Sequence, residues 1–132
     1  MVTVGWHYLS VVRLNRALRK SEERFRTVVE QAGDAMFVVD VTNGRCIDVN
    51  IQACTSMGYT RDELLALSVP DIAPEYPSNK FRELVDNLKQ GVAVTFESTH
   101  RRKDGSLFPV KIRTGLIELQ GKNRILAFAH DN

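Results

Sequence analysis

The sequence predicts an α+β domain: one antiparallel sheet of five strands, covered on a single face by helices and preceded by a separate amphipathic helix. Three observations carry that prediction. A strand pair around Asn43-Gly44 runs directly into a short helix that stops at Gly58. From Val92 onward come three strand-like runs separated by Asp104-Gly105 and by Gln120-Gly121, the first two with apolar and polar residues in alternation. Between the two strand groups lie only helical patterns and a proline-punctuated stretch, so helices are segregated from strands rather than interleaved with them.

The N-terminal element is a helix from about Thr3 to Gln31. Val4, His7, Val11, Leu14, Leu18, Ser21 and Phe25 fall at alternating spacings of three and four, which places them on one seam. The residues between them, Arg13, Arg16, Arg19, Lys20, Glu22 and Glu23 among others, are strongly polar. A stripe this narrow needs a partner helix. A solvated helix lying on its own domain is one reading; a parallel two-helix coiled coil suits the charged flanks better, with Val11, Leu14, Leu18 and Phe25 as the dimer interface. Polar His7 and Ser21 on the seam would cost stability while setting register. Residues 1–31 are thus read as this helix and 32–132 as the domain that follows.

Gly33-Asp34 ends the helix. Ala35 to Val41 and Arg45 to Val49 form a first hairpin closed by a two-residue Asn-Gly turn. Asn50 can cap a helix over Ile51 to Met57, and Thr60 with Glu63 three residues later is a capping box for a second short helix. Pro70, Pro74 and Pro77 leave room only for a turn or a single helical turn. From Ser78 to Gln90, Phe81, Leu84, Val85 and Leu88 recur at helical spacing, and Gly91 closes the element. Val92, Val94 and Phe96 then alternate inward on one strand, and Phe108, Val110 and Ile112 on the next. There the phase slips at Gly115, suggesting a bulge before Ile117 and Leu119. Gln120 to Asn123 makes the last turn and Arg124 to Asp131 the closing strand.

Composition bounds the function. One domain's length with 43% apolar and 26% charged residues is enough for a sizeable core. A net charge of +2 is too small to imply nucleic acid as a partner. Cys46 and Cys54, with no secretory leader, favour a reduced cytoplasmic setting in which both serve as small apolar fillers. No run reaches the roughly 18 apolar residues of a membrane span. Val2 to Val12, followed by Arg13, Arg16, Arg19 and Lys20, would fit the end of a span lying upstream, making the chain the cytosolic part of a membrane-anchored protein.

From about Ser21 to Asn132 the chain resembles a PAS domain, the sensory box of bacterial signalling proteins. The matching features are Glu22-Glu23-Arg24-Phe25-Arg26, Gln31-Ala32-Gly33-Asp34-Ala35, Asp48-Val49-Asn50 with Ala53 and Gly58-Tyr59, Asp62-Glu63-Leu64, and Arg101-Arg102-Lys103-Asp104-Gly105-Ser106 with Pro109-Val110. The resemblance implies a sheet in the order 2-1-5-4-3, with helices enclosing a cavity against its inner face. It also implies a downstream output domain, such as a histidine kinase or diguanylate cyclase, joined through coiled-coil helices. Where the family ends in Asp-Ile-Thr, Asp131 matches and Asn132 departs.

His7, His100 and His130 stand on unrelated elements without a nucleophile at a recognisable spacing, and there is no glycine-rich phosphate loop, so catalysis is not expected. No metal-ligand spacing is present either. Haem-binding members of the family carry an axial histidine on the long helix, and 78–91 contains none; the photoadduct motif Asn-Cys-Arg-Phe-Leu-Gln is likewise absent around Cys54. The cofactor is therefore left unassigned. Candidates for a ligand pocket are the inward residues Phe37, Val39, Val49, Met57, Leu64, Ile72, Phe81, Leu84, Val85, Val94, Phe96, Val110, Ile112 and Phe128, a set that equally describes an ordinary core. His100 and His130 face either the cavity or the outer sheet face, and Arg101, Arg102 and Lys103 read as a solvated turn. The chain is thus expected to be a non-catalytic sensing and dimerisation module of a larger signal-transduction protein, a homodimer with a small-molecule ligand or a partner as its signal. The rival readings are a constitutive scaffold with a filled core and a flavin or haem redox sensor.

Overall fold

The strands of this domain form where β-branched and aromatic residues alternate, and their pairing follows the order inferred from the resemblance. The computed structural model describes residues 33–132; the helix expected over residues 1–31, with Val11, Leu14, Leu18 and Phe25, lies outside them. Ala35–Asp40 (β1), Cys46–Val49 (β2), Val94–Arg101 (β3), Leu107–Leu119 (β4) and Lys122–Asp131 (β5) make one sheet in the order β2-β1-β5-β4-β3. Every adjacent pair is antiparallel. Four helices connect β2 to β3: Ile51–Met57 (α1), Arg61–Leu65 (α2), Val69–Ile72 (α3) and Ser78–Asn87 (α4).

Local chemistry fixes the helix ends. Asn50 accepts from Ala53 N at 2.9 Å, and Gly58, at φ 79°, closes α1 by donating to Cys54 O. The capping box of α2 is formed, Glu63 N donating to Thr60 Oγ1 at 3.2 Å and Thr60 N to Glu63 Oε1 at 2.9 Å. The proline stretch holds the single turn α3. Helix α4 stops at Asn87, short of the expected Gln90, because Leu88 turns extended and buries its side chain. Gly91, at φ 75°, serves a turn bridging Lys89 and Val92 instead, and Val92 is exposed rather than inward.

Three turn and register expectations are corrected. Asn43-Gly44 is not a two-residue turn: only Gly44 of the pair has positive φ, at 72°, whereas a type I′ turn needs it at both positions. Residues 41–44 form a longer loop gathered by Asp40, whose carboxylate accepts from Thr42 N at 2.7 Å and Asn43 N at 3.3 Å. Those amides, Thr42's above all, together with the Arg124 guanidinium at 3.1 Å, hold the Asp40 carboxyl below the usual range. The bulge lies at Ile47 of β2, between the pairs Val38–Asp48 and Val39–Cys46. Strand β4 runs through Gly115 in unbroken register with β5, because the inward residue after Ile112 is Thr114 and not an apolar one. Its phase never slips; Ile117 and Leu119 belong to the outer face.

The two-residue hairpin is the last one, where Gln120 (φ 52°) and Gly121 (φ 76°) join the paired residues Leu119 and Lys122. A non-glycine residue in the left-handed region costs about 1–2 kcal/mol, asparagine least among them. Gln120→Asn is therefore expected to raise stability by about 0.5–1 kcal/mol in equilibrium urea denaturation. No change or a loss would show that the strand register, not the turn, sets this backbone.

Candidate functional site

The core fills the space between the sheet and the helices, with Val49, Met57, Leu64 and Val110 almost wholly buried. It is incompletely filled. A cavity of about 70 Å³ lies between the inner sheet face and α3 and α4. The sheet wall is made of small side chains: Cys46 on β2, Ser98 on β3, Thr114 on β4 and Ala127 on β5, the last two a cross-strand pair. Large residues stand around that wall, Phe37 and Val39 from β1, Ile72 from α3, Phe81 and Leu84 from α4, and Phe96 and Ile112 from β3 and β4. Tyr76, in the loop before α4, packs on Phe96 with ring centroids 5.5 Å apart. Tyr76, Leu84 and Phe96 are only half-buried, which marks the side of the cavity nearest to solvent.

Polar atoms enter this cavity from β3 and β4. The Ser98 hydroxyl is buried and has no hydrogen-bond partner. His100, 7% exposed, is held edge-on between Phe37 and Phe108, with centroids 5.9 and 6.1 Å away. Burial pushes its imidazole down to about 4, so it is neutral at ordinary pH. Thr114 Oγ1 donates to Leu126 O at 3.0 Å, and a hydroxyl that donates keeps its lone pairs as acceptors. Burial, with the Asp71 carboxylate as a lesser cause, pushes the Cys46 thiol up to about 11, and a thiol so protonated is a poor nucleophile. Both cysteines are free. Among the described residues no three His, Cys, Asp or Glu side chains converge as a metal site would require.

Of the fourteen pocket candidates, Phe37, Val39, Ile72, Phe81, Leu84, Phe96 and Ile112 line the cavity. Met57 and Val110 border a second void of about 20 Å³ on the far side of His100, room for one water. Val49, Leu64, Val85 and Val94 are core or packed against it. Phe128 is misassigned: it pairs with Met36 and Arg113, and the inward residues of β5 are Ile125, Ala127 and Ala129. Sequence reasoning missed the small residues of the sheet wall, because it sought bulky apolar side chains. The only signal for them was the even-numbered alternation through Ser98, His100 and Thr114.

The two histidines part company: His100 faces the cavity, while His130 is exposed with its Nδ1 2.8 Å from Asp34 Oδ1. The hairpin tip at Arg102 and Lys103 is not simply solvated. Arg102 lays its guanidinium 3.8 Å over the Phe108 ring and donates from Nε to Ser56 O, while Lys103 donates from its backbone to Met57 O and pairs through Nζ with Glu63 at 2.7 Å. The β3–β4 turn is thereby fastened to the end of α1 and to α2, beside the aromatic ring that holds His100.

A family model for the PAS domain matches residues 33–132. Among curated proteins, the methyl sulfide methyltransferase-associated sensor of Methanosarcina acetivorans is 27% identical over 115 residues. That match covers 87% of this chain but 12% of the relative, so the chain spans about an eighth of that protein's length. Among solved structures, the PAS domain of an HTR-like protein from Haloarcula marismortui superposes with a TM-score of 0.80 at 24% identity, covering 91% of this chain and 98% of that one. A domain of the sensory box sensor histidine kinase/response regulator from Geobacter sulfurreducens gives a TM-score of 0.72 at 28% identity, covering 86% and 96%. No helix among the described residues is long and apolar enough to cross a membrane.

Proposed function

This chain belongs to the PAS domain family, the sensory modules of signalling proteins, and we propose that it is a non-catalytic module that senses a small molecule and dimerises within a larger signal-transduction protein. The single observation that carries the sensing role is the cavity of about 70 Å³ inside the sheet and helices. A scaffold with a filled core has no use for it, since interiors close-pack and an unfilled volume costs stability. Occupancy of the cavity biases the packing of the sheet, and the N-terminal helix passes that bias to an output domain of the kinase or cyclase type.

The dimer is formed by residues 1–31, on the seam Val11, Leu14, Leu18 and Phe25. Met36 and Val38 of β1 and Leu126 and Phe128 of β5 bring four apolar side chains together on the outer face of the sheet by register. Leu14→Asp with Leu18→Asp is expected to convert a dimer to a monomer in sedimentation velocity; a persisting dimer would refute the seam. The sensing role is tested by native mass spectrometry of the protein from its expression host. Mass retained above that of the denatured chain supports it, and a bare chain that also gains no mass in the cytosolic extract of that host would favour the filled-core scaffold.

A further inference from the structure

We propose that the cavity takes a compact, neutral, largely apolar molecule bearing a single hydroxyl-type head group, held on the β3 wall by Ser98 Oγ and the His100 imidazole. This rests on the sensing role proposed above and adds the chemistry of what is sensed.

Three features of the lining decide the class. The first is polarity. A buried hydroxyl without a partner is destabilising, and Ser98 carries that cost, at 7% exposure, on the wall of a cavity. Two residues further along the same face of β3, the His100 ring has no hydrogen bond within the described domain. A neutral imidazole offers one donor and one acceptor, and a serine hydroxyl offers both, so the two together match a head group that donates one hydrogen bond and accepts another. An alcohol does so; an alkane, an ether and a carboxylate do not.

The second feature is charge. No Lys, Arg, Asp or Glu side chain lines the cavity, and His100 is neutral there. A carboxylate or ammonium would enter without a counter-charge and keep its full desolvation penalty. The third is size. About 70 Å³ holds about five to seven water-sized groups at ~10–15 Å³ each, and it is far below the ~300–1,000 Å³ of pockets for drug-sized ligands. A flavin ring system or a haem does not fit this volume, whereas an alkyl chain of about four carbons with one hydroxyl does. Phe37, Phe81, Ile112 and Ile125 then surround the alkyl part, and a water in its place would leave those contacts unmade.

The probes are 1-butanol, butyrate and n-butylammonium, titrated into the full chain with the isoleucine methyl groups observed by NMR. Saturable shifts at Ile72, Ile112 and Ile125 are expected with 1-butanol, and none with either ion at the same concentration. Ser98→Ala should fold at least as well as the parent, since it removes an unpaired hydroxyl, and should weaken 1-butanol about tenfold. Butyrate binding as tightly as the alcohol, an unchanged affinity in Ser98→Ala, or no saturable binding of any probe would each overturn the assignment. A retained mass in the native spectrum alongside such a failure would place the error in the ligand's chemistry and leave the sensing role standing.

Discussion

Asn50→Ala is expected to cost about 3–5 kcal/mol, against the about 5–15 kcal/mol that holds a typical domain folded. Asn50 is 2% exposed and makes three side-chain hydrogen bonds to backbone. Its Oδ1 accepts from Met36 N and from Ala53 N, each at 2.9 Å, and its Nδ2 donates to Asp34 O at 2.9 Å. The bond to Ala53 is an ordinary helix cap, worth about 1 kcal/mol. The other two tie the start of β1 to the start of α1, and a methyl group leaves both backbone groups without partners at about 1–3 kcal/mol each. In a domain of this size the melting temperature should fall by about 12 °C or more. Asn50→Ser restores only the cap, its hydroxyl being too short for Met36 and Asp34, and should recover about 1 kcal/mol of the loss. Urea denaturation of both variants separates the parts. A loss below about 1.5 kcal/mol for Asn50→Ala would mean that capping alone accounts for the residue, and that the junction of β1 with α1 relaxes without it.

How much of this was legible in the sequence depends on whether the information is local. Asn50 as a cap, Thr60 with Glu63 as a box, and the alternation of β3 from Val94 and of β4 as far as Ile112 are written in a few neighbouring residues, and the structure keeps them. The second and third bonds of Asn50 reach residues 14 and 16 positions away, and nothing near Asn50 announces them. Asn43-Gly44 misled because the dipeptide suits a tight hairpin, but Asp40 offers its carboxylate to the loop amides and stabilises a wider one. Gly115 misled because Thr114 does not look like a core residue until its hydroxyl is seen bonded to Leu126 O.

The cavity was legible only in outline. Bulky inward residues were identified for both sheet and helices, yet a void forms where facing residues are small, and complementarity between Ala127, Thr114, Ser98 and Cys46 on four different strands is set by register. Register also removed Phe128 from the site, since one step along β5 exchanges the two faces. The anchoring of Arg102 and Lys103 depends on a hairpin folding back onto α1 and α2, contacts across 46 and 40 positions.

Phe81→Ala joins the cavity to the loop that sequence misjudged. The Phe81 ring is 5% exposed, lines the cavity from α4, and lies so close to Gly44 that a Cβ there would sit 3.1 Å from its Cε2. Truncating a buried phenylalanine costs about 3–5 kcal/mol through lost burial and the void left behind, and here the void merges with one already present. The loss is therefore expected at the upper end of that range, because little of the surrounding wall can collapse inward. Gly44 supplies the control. Gly44→Ala in the parent meets two obstacles, a left-handed φ of 72° and the Phe81 ring; in the Phe81→Ala background only the first remains. The two substitutions should thus cost less together than the sum of their separate losses, by about 0.5–1.5 kcal/mol in a double-mutant cycle. Additive losses would mean that the β1–β2 loop moves freely past α4. A positive coupling would instead establish the loop as a fixed part of the cavity wall, so that whatever occupies the cavity presses, through Phe81, on the turn that joins β1 to β2.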